Sequence, residues 1–255
     1  MKVILYFLIL CNSLFSQSKN IQYYKNNFFK KHQKQIYLAD TLVKSSAIPP
    51  TVINHGSRSE PKIALTFDAC ATKKKSGYDK KIIDILVETQ TPATLFLGGK
   101  WMIEHYEEIK LLSSYKQFEL ANHSFLHPHL KELPDEQIKK EIIETEKTLH
   151  LITKKQSQYF RPPYAEYDDR ILNIVAECGL KIVHYDVASG DPDTAITKEK
   201  LANYVTEKAK NGSIIVMHMN GRGWHTAEAL PEIIAYLKKK KFTFVTISEL
   251  LHNHQ

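Results

Sequence analysis

The chain has 255 residues, enough for one sizeable α/β domain or two small ones. A hydrophobic share of 43%, an aromatic share of 10% and only nine glycines exclude a disordered or low-complexity chain, because such a composition supports a packed core. The net charge of +7 comes mostly from scattered lysines, and its clusters at Lys30-Lys31, Lys73–Lys75 and Lys238–Lys241 lack interleaved stacking aromatics. They read as solvated faces, so no nucleic-acid partner is expected.

Met1-Lys2 is followed by the apolar run Val3–Leu10 and then by Asn12, Ser13, Ser16 and Gln17. The run is too short to span a bilayer and has the form of a secretory signal peptide over residues 1–16, with cleavage near Ser16. The expectation is therefore a secreted or periplasmic protein with no membrane span. Cys11 follows the bulky Leu10, which argues against a lipid anchor. Residues 17–60 show no hydrophobic period and are read as a leader segment, with one short helix around Lys31–Leu42.

From residue 61 to 255 the pattern sharpens into one domain. Strand-like runs fall at Lys62–Phe67, Ala93–Leu97, Gln117–Asn122, Gln158–Arg161, Leu180–Tyr185, Ser213–Met217 and Phe242–Ile247. Between them lie segments of helical period at Tyr78–Glu88, Lys100–Ser113, Pro134–Leu151, Asp168–Cys178, Thr197–Asn211 and Ala227–Lys238. Strand-helix alternation predicts an α/β fold of parallel strands with covering helices, and about seven such units suggest a barrel-like sheet. Cys70 and Cys178 would then stand at opposite strand ends, roughly 15 to 20 Å apart, too far for a disulfide.

The chemistry-bearing residues sit at the ends of those strands. His123 and His127 are spaced i, i+4, which over about one helical turn places two nitrogen donors on one side for a divalent ion. In a chain with 12 histidines such a pair also arises by chance. The first strand ends in Thr66-Phe67-Asp68, a carboxylate suited to a base or a ligand, although an isolated Asp there is more often a turn residue. Arg161-Pro162-Pro163-Tyr164 follows the fourth strand and can hold a carboxylate in place. An acidic loop containing Asp191 follows the fifth, and Val216-Met217-His218 ends the sixth with a candidate acid or base. In a parallel barrel Asp68, His123, His127, Arg161, Asp191 and His218 would gather at one mouth.

These motifs, in this order from about Lys62 to Leu251, resemble the polysaccharide deacetylases of the NodB-homology type, carbohydrate esterase family four. The resemblance implies a distorted (β/α) barrel, in agreement with the seven strands, with Asp68 as catalytic base, His123 and His127 as metal ligands and His218 as catalytic acid. It further implies that Arg161 steadies the base, that Asp191 orients the acid, that the Tyr164 N–H donates to an oxyanion and that Val216 lines an acetyl-methyl pocket. The implied cofactor is a divalent metal, Zn2+ first, with Co2+, Mn2+ or Ni2+ as further options. The implied reaction is hydrolysis of N-acetyl groups on an N-acetylated polysaccharide, with peptidoglycan amino sugars the expected substrate.

Two positions depart from the family pattern. Ala69 stands where the family commonly has a second Asp as third ligand, and Pro192 where it often has Trp. Substitutes for the missing ligand are Asp79, Cys70 or Asp68 itself, with Asp79 ranked first because a carboxylate is a hard donor on the adjoining loop. Trp224, in the loop after His218, is a candidate flat face for a sugar ring. The departures keep two rival readings open, a non-catalytic glycan-binding protein on the same barrel and a deacetylase or amidase of a small amide or ester. Sequence leaves the oligomeric state open.

Overall fold

In the computed structural model of the chain the described residues are 47–71 and 76–252, with isolated helical positions at Asn27, Lys30 and Lys31. The expected signal peptide, most of the leader with its helix, and the Lys73–Lys75 cluster lie outside them. The chain divides into two compact units, Met1–Leu42 and Val43–Gln255, and all the strands belong to the second.

Among the described residues nine strands form, all parallel: β1 Val52–Ile53, β2 Lys62–Ala69, β3 Ala93–Leu97, β4 Phe118–Asn122, β5 Tyr159–Phe160, β6 Lys181–Val183, β7 Val187–Ala188, β8 Ile214–His218 and β9 Thr243–Phe244. They lie in the order β1-β6-β5-β4-β3-β2-β8-β7, with β9 beside the start of β2. This is a curled half-barrel. The central strands are apolar almost throughout, and β2 and β3 are buried nearly end to end, as expected of parallel strands covered on both faces. Two strands lie outside the seven expected runs. The stretch 47–60 supplies β1, which pairs with β6, and β7 lies in the acidic loop.

Within residues 47–71 and 76–252, eight α-helices connect and cover the strands: α1 Lys80–Glu88, α2 Gly99–Glu104, α3 Tyr106–Leu112, α4 Asp135–Thr153, α5 Asp169–Glu177, α6 Lys198–Lys208, α7 Thr226–Lys239 and α8 Ile247–Leu251. In α1, Ile82, Ile83 and Leu86 form the buried stripe, an i, i+1, i+4 pattern facing the core. The single helix expected at Lys100–Ser113 is broken at His105. That residue leaves helical geometry (φ −122°, ψ 42°), and its ring packs 4.7 Å from Trp101 while Nε2 bonds the Ser76 carbonyl at 3.1 Å. Trp101 Nε1 donates to the Gly77 carbonyl at 3.0 Å, so α2 fastens the loop that leads from the end of β2 to α1. The expected final strand is also shorter, because Thr246 caps α8 with a reciprocal capping box to Glu249. Among the described residues no helix is long and apolar enough to cross a membrane.

Candidate active site

Strand register places the site. Asp68 is paired across β2 and β8 with His218 and across β2 and β3 with Phe96. Leu97 pairs with Asn122, and Asn122 with Phe160. The residues that end β2, β8, β4 and β5 therefore lie along one sheet edge, and they open into a cavity of about 400 Å³. Its wall includes Asp68, Cys70, His123, His127, Arg161 and His218.

Asp68 is held by Arg161. The guanidinium donates from Nη1 to Asp68 Oδ1 at 2.7 Å and to Thr66 Oγ1 at 2.8 Å, and from Nε and Nη2 to the carbonyls of Val183 and His184. It also lies 4.0 Å over the Phe96 ring. Burial opposes a charge on Asp68, but the Arg161 cation beside it, helped by His123 and His218, outweighs burial and holds the carboxyl below its usual range. A buried ion pair with its remaining donors satisfied is a rigid unit, and removing one partner of such a pair costs about 3–5 kcal/mol.

His218 faces it from β8. Its Nδ1–H donates to Asp191 Oδ1 at 2.8 Å and its backbone N–H to Asp191 Oδ2 at 2.7 Å. Asp191 is fully buried and also accepts from the hydroxyls of Ser189 and Thr226, at 2.9 and 2.7 Å. Burial alone would lower the His218 pKa. The hydrogen bond to Asp191 and the carboxylate charges of Asp191 and Asp68 outweigh it, so His218 sits above the ordinary histidine value. Two titratable groups on paired strand positions are thus pushed apart, the carboxyl toward its anion and the imidazole toward its cation. Such a pair is suited to taking one proton and giving another.

His123 and His127 are not on a helix. They bracket a loop in which Ser124 (φ 62°) and His127 (φ 58°) take left-handed backbone conformations, and their rings meet edge to face at 4.9 Å. The loop is braced from behind. Glu141 on α4 accepts from the N–H groups of Phe125 and Leu126, and Asn122 accepts from the Ser124 N–H while donating to Glu146. Burial, followed by the like charge of His123, pushes the His127 pKa down to about 3. Burial also lowers that of His123, against the opposing charge of Asp68. His123 Nδ1 faces the Arg161 carbonyl at 2.9 Å, so the proton must sit on Nδ1 and the Nε2 lone pair is left bare. Two neutral imidazoles, one with its tautomer fixed by a carbonyl, fit a divalent cation.

A third potential donor at this point is Cys70. Its sulfur and one nitrogen from each of His123 and His127 all lie within 4.8 Å of one another, which makes them the one cluster of potential metal ligands among the described residues. Asp79, ranked first from sequence, does not line the cavity. It precedes α1, gives its backbone N–H to the Met219 carbonyl at 3.0 Å, and its carboxyl accepts from the Gly221 N–H, so it ties α1 to the loop after β8. Ala69 is fully buried and is not part of the cavity wall.

Val216, Pro192 and Tyr164 line the cavity. Tyr164 is half exposed, with φ 55°, and its ring stacks on His129 at 4.0 Å. Trp224 is also half exposed but is not part of the wall, and its backbone N–H donates to the Asp191 carbonyl at 2.8 Å. Sequence reading gave no role to Ser189, Thr226 or Gly223, which surround Asp191. The signal for Gly223 was its place between Arg222 and Trp224. A Cβ there would meet the His218 carbonyl oxygen, Thr226 Oγ1 and Asp191 Oδ2, so only glycine lets the loop pass this close.

A carboxyl shifted toward its anion, an imidazole shifted toward its cation and a bis-histidine donor set at one edge of a parallel sheet suit a hydrolytic site with acid-base machinery. Residues 55–183 match the family model of polysaccharide deacetylases. Over 199 residues the chain is 31% identical to the peptidoglycan-N-acetylmuramic acid deacetylase PdaA of Bacillus subtilis, covering 77% of this chain and 73% of that protein. A peptidoglycan-N-acetylglucosamine deacetylase of Bacillus cereus is 29% identical over 195 residues, 76% of this chain and 89% of the relative. The solved structure of PdaA, a family 4 carbohydrate esterase, superposes with a TM-score of 0.72 at 28% identity, covering 81% of this chain and 87% of that one. A CE4 family pseudoenzyme from Bacillus anthracis superposes with a TM-score of 0.71 at 26% identity, covering 80% and 69%. The chain belongs to the polysaccharide deacetylase family, CE4, hydrolases that act on N-acetyl amide bonds.

Proposed function

We propose that the chain is an exported, metal-dependent N-deacetylase of an N-acetylated glycan, with peptidoglycan amino sugars as its substrate. The observation that carries this is the pairing of Asp68 with His218 across β2 and β8, with the carboxyl shifted toward its anion and the imidazole toward its cation. A divalent ion held by His123 and His127 would polarise the amide carbonyl and acidify a water. Asp68, oriented by Arg161, takes the proton from the attacking water. His218, its Nδ1–H held by Asp191, gives a proton from Nε2 to the departing amine nitrogen. Tyr164 and Val216 both line the cavity, where the Tyr164 N–H would donate to the developing oxyanion and Val216 would face the acetyl methyl. The apolar run Val3–Leu10 after Lys2 supports export, and the peptidoglycan deacetylases among the Bacillus relatives support peptidoglycan as the polymer.

A non-catalytic glycan binder is the second reading, favoured by Ala69 and by the pseudoenzyme among the structural neighbours. A pure binder needs neither an ionised Asp68 nor a charged His218, and both are retained. Acetate release from purified peptidoglycan and from chitooligosaccharides, with and without a chelator, tests the proposal. Chelator-sensitive release from peptidoglycan supports it. Glycan binding without acetate release supports the binder.

A further inference from the structure

We propose that Cys70 is the third protein ligand of the cation site, making it a thiolate and bis-imidazole centre selective for borderline-soft ions such as Zn2+ and Co2+. This rests on the reading of His123 and His127 as the cation-holding histidines of a deacetylase. Cys70 follows β2 directly, whereas the histidines follow β4, yet the three donor atoms converge within 4.8 Å. Asp68 stands beside them with Oδ2 3.7 Å from His123 Nε2, but its Oδ1 is committed to Arg161. If the cation draws its third ligand from Cys70, Asp68 remains free to act as the base.

The thiol is also held in place. Asn220, 1% exposed, donates from Nδ2 to the Cys70 carbonyl at 2.7 Å and lies 3.4 Å from Sγ. An amide N–H directed at sulfur fixes its orientation, a kind of support common around metal ligands. On the other side, a Cβ on Gly98 would stand 3.3 Å from the Cys70 Cα, so glycine there lets the end of β3 lie close against Cys70. Neither Cys70 nor Cys178 is in a disulfide. Binding would release the thiol proton to solvent as the sulfur coordinates. A soft sulfur donor in place of a carboxylate shifts preference away from Mn2+ and Mg2+ toward Zn2+ and Co2+. Asn220 acts here as a positioning residue.

Cobalt absorption spectroscopy on the full-length chain, stripped of metal and titrated with Co2+, tests this. The expected result is an intense thiolate-to-cobalt charge-transfer band in the near ultraviolet, displaced by Zn2+ but not by Mn2+. The band should vanish in Cys70→Ser and persist in Cys11→Ser and Cys178→Ser. Asn220→Ala should keep the band but weaken cobalt affinity by about tenfold. Cobalt that binds and is lost in His123→Ala, yet gives no charge-transfer band in the wild type, would overturn the ligand assignment, as would a band that survives Cys70→Ser. Acetate release by the zinc-loaded wild type separates the two readings. Release without the band removes Cys70 and leaves the deacetylase, whereas a Cys70-dependent band without release supports the ligand and removes the deacetylase. A chain that binds no cobalt overturns the ligand assignment as well.

Discussion

The central residue pair is Asp68 and His218, and its two partners set its working range. Asp191 is the main source of the raised His218 pKa, since burial alone would lower it. The alkaline limb of kcat/KM, where His218 loses its proton, is therefore expected above the ordinary histidine value of 6.5. Asp191→Asn removes the opposing charge, so the limb should move to lower pH, and a pH profile of the two proteins checks it. At this scale the sequence was informative wherever a residue ends an apolar strand, as Asp68 and His218 do. It was misleading for Asp79, because a carboxylate on a nearby loop looks like a ligand in one dimension. In three dimensions its backbone and carboxyl are taken up by Met219 and Gly221, and the donor that reaches the histidines is the neighbouring Cys70.

Among the elements, the His123–His127 loop depends on its support from α4. Glu146, fully buried on that helix, accepts from Asn122 Nδ2 at 2.8 Å and from the Ser157 N–H at 3.1 Å. Burial raises its pKa from 4.5 to about 7 despite those bonds. The folded chain therefore holds this proton more tightly than the unfolded chain. As pH rises through 4.5 the unfolded state releases the proton first, and folding stability falls until pH reaches about 7, by on the order of 3 kcal/mol. Urea unfolding of wild type and Glu146→Gln across that window should show their stability difference changing by this amount, whatever the constant cost of the substitution. The turn after β8 makes a second demand. Gly223→Ala forces a methyl against the His218 carbonyl and the Asp191 carboxylate, and should cost about 1–3 kcal/mol in thermal or urea unfolding. Such support is hard to read from sequence. Glu141 and Glu146 look like ordinary polar positions of an amphipathic helix, and the helical spacing of His123 and His127 gives no sign that a loop with two left-handed residues brings them together.

For the whole molecule, the parallel α/β plan was legible because each central strand is a continuous apolar run followed by a helical period. The strands that were missed, β1 and β7, lie outside the strand-helix alternation, in a stretch without a hydrophobic period and in the acidic loop, and the break at His105 comes from the contact of its ring with the Ser76 carbonyl. Export belongs to this scale as well. Mass spectrometry of protein from an exporting host is expected to find a mature terminus near Gln17, and an intact Met1 on exported protein would contradict the signal-peptide reading. The family assignment joins the fold to the chemistry, and the central claim is that Asp68 works as a base in glycan deacetylation. The direct measurement is the initial rate of acetate release from purified peptidoglycan by wild type and by Asp68→Asn, each loaded with zinc and shown to be folded. The account predicts release by the wild type and a loss of about 10²–10⁴-fold in the variant. A wild type that releases no acetate above the blank, or an Asp68→Asn variant that matches it, would contradict the account.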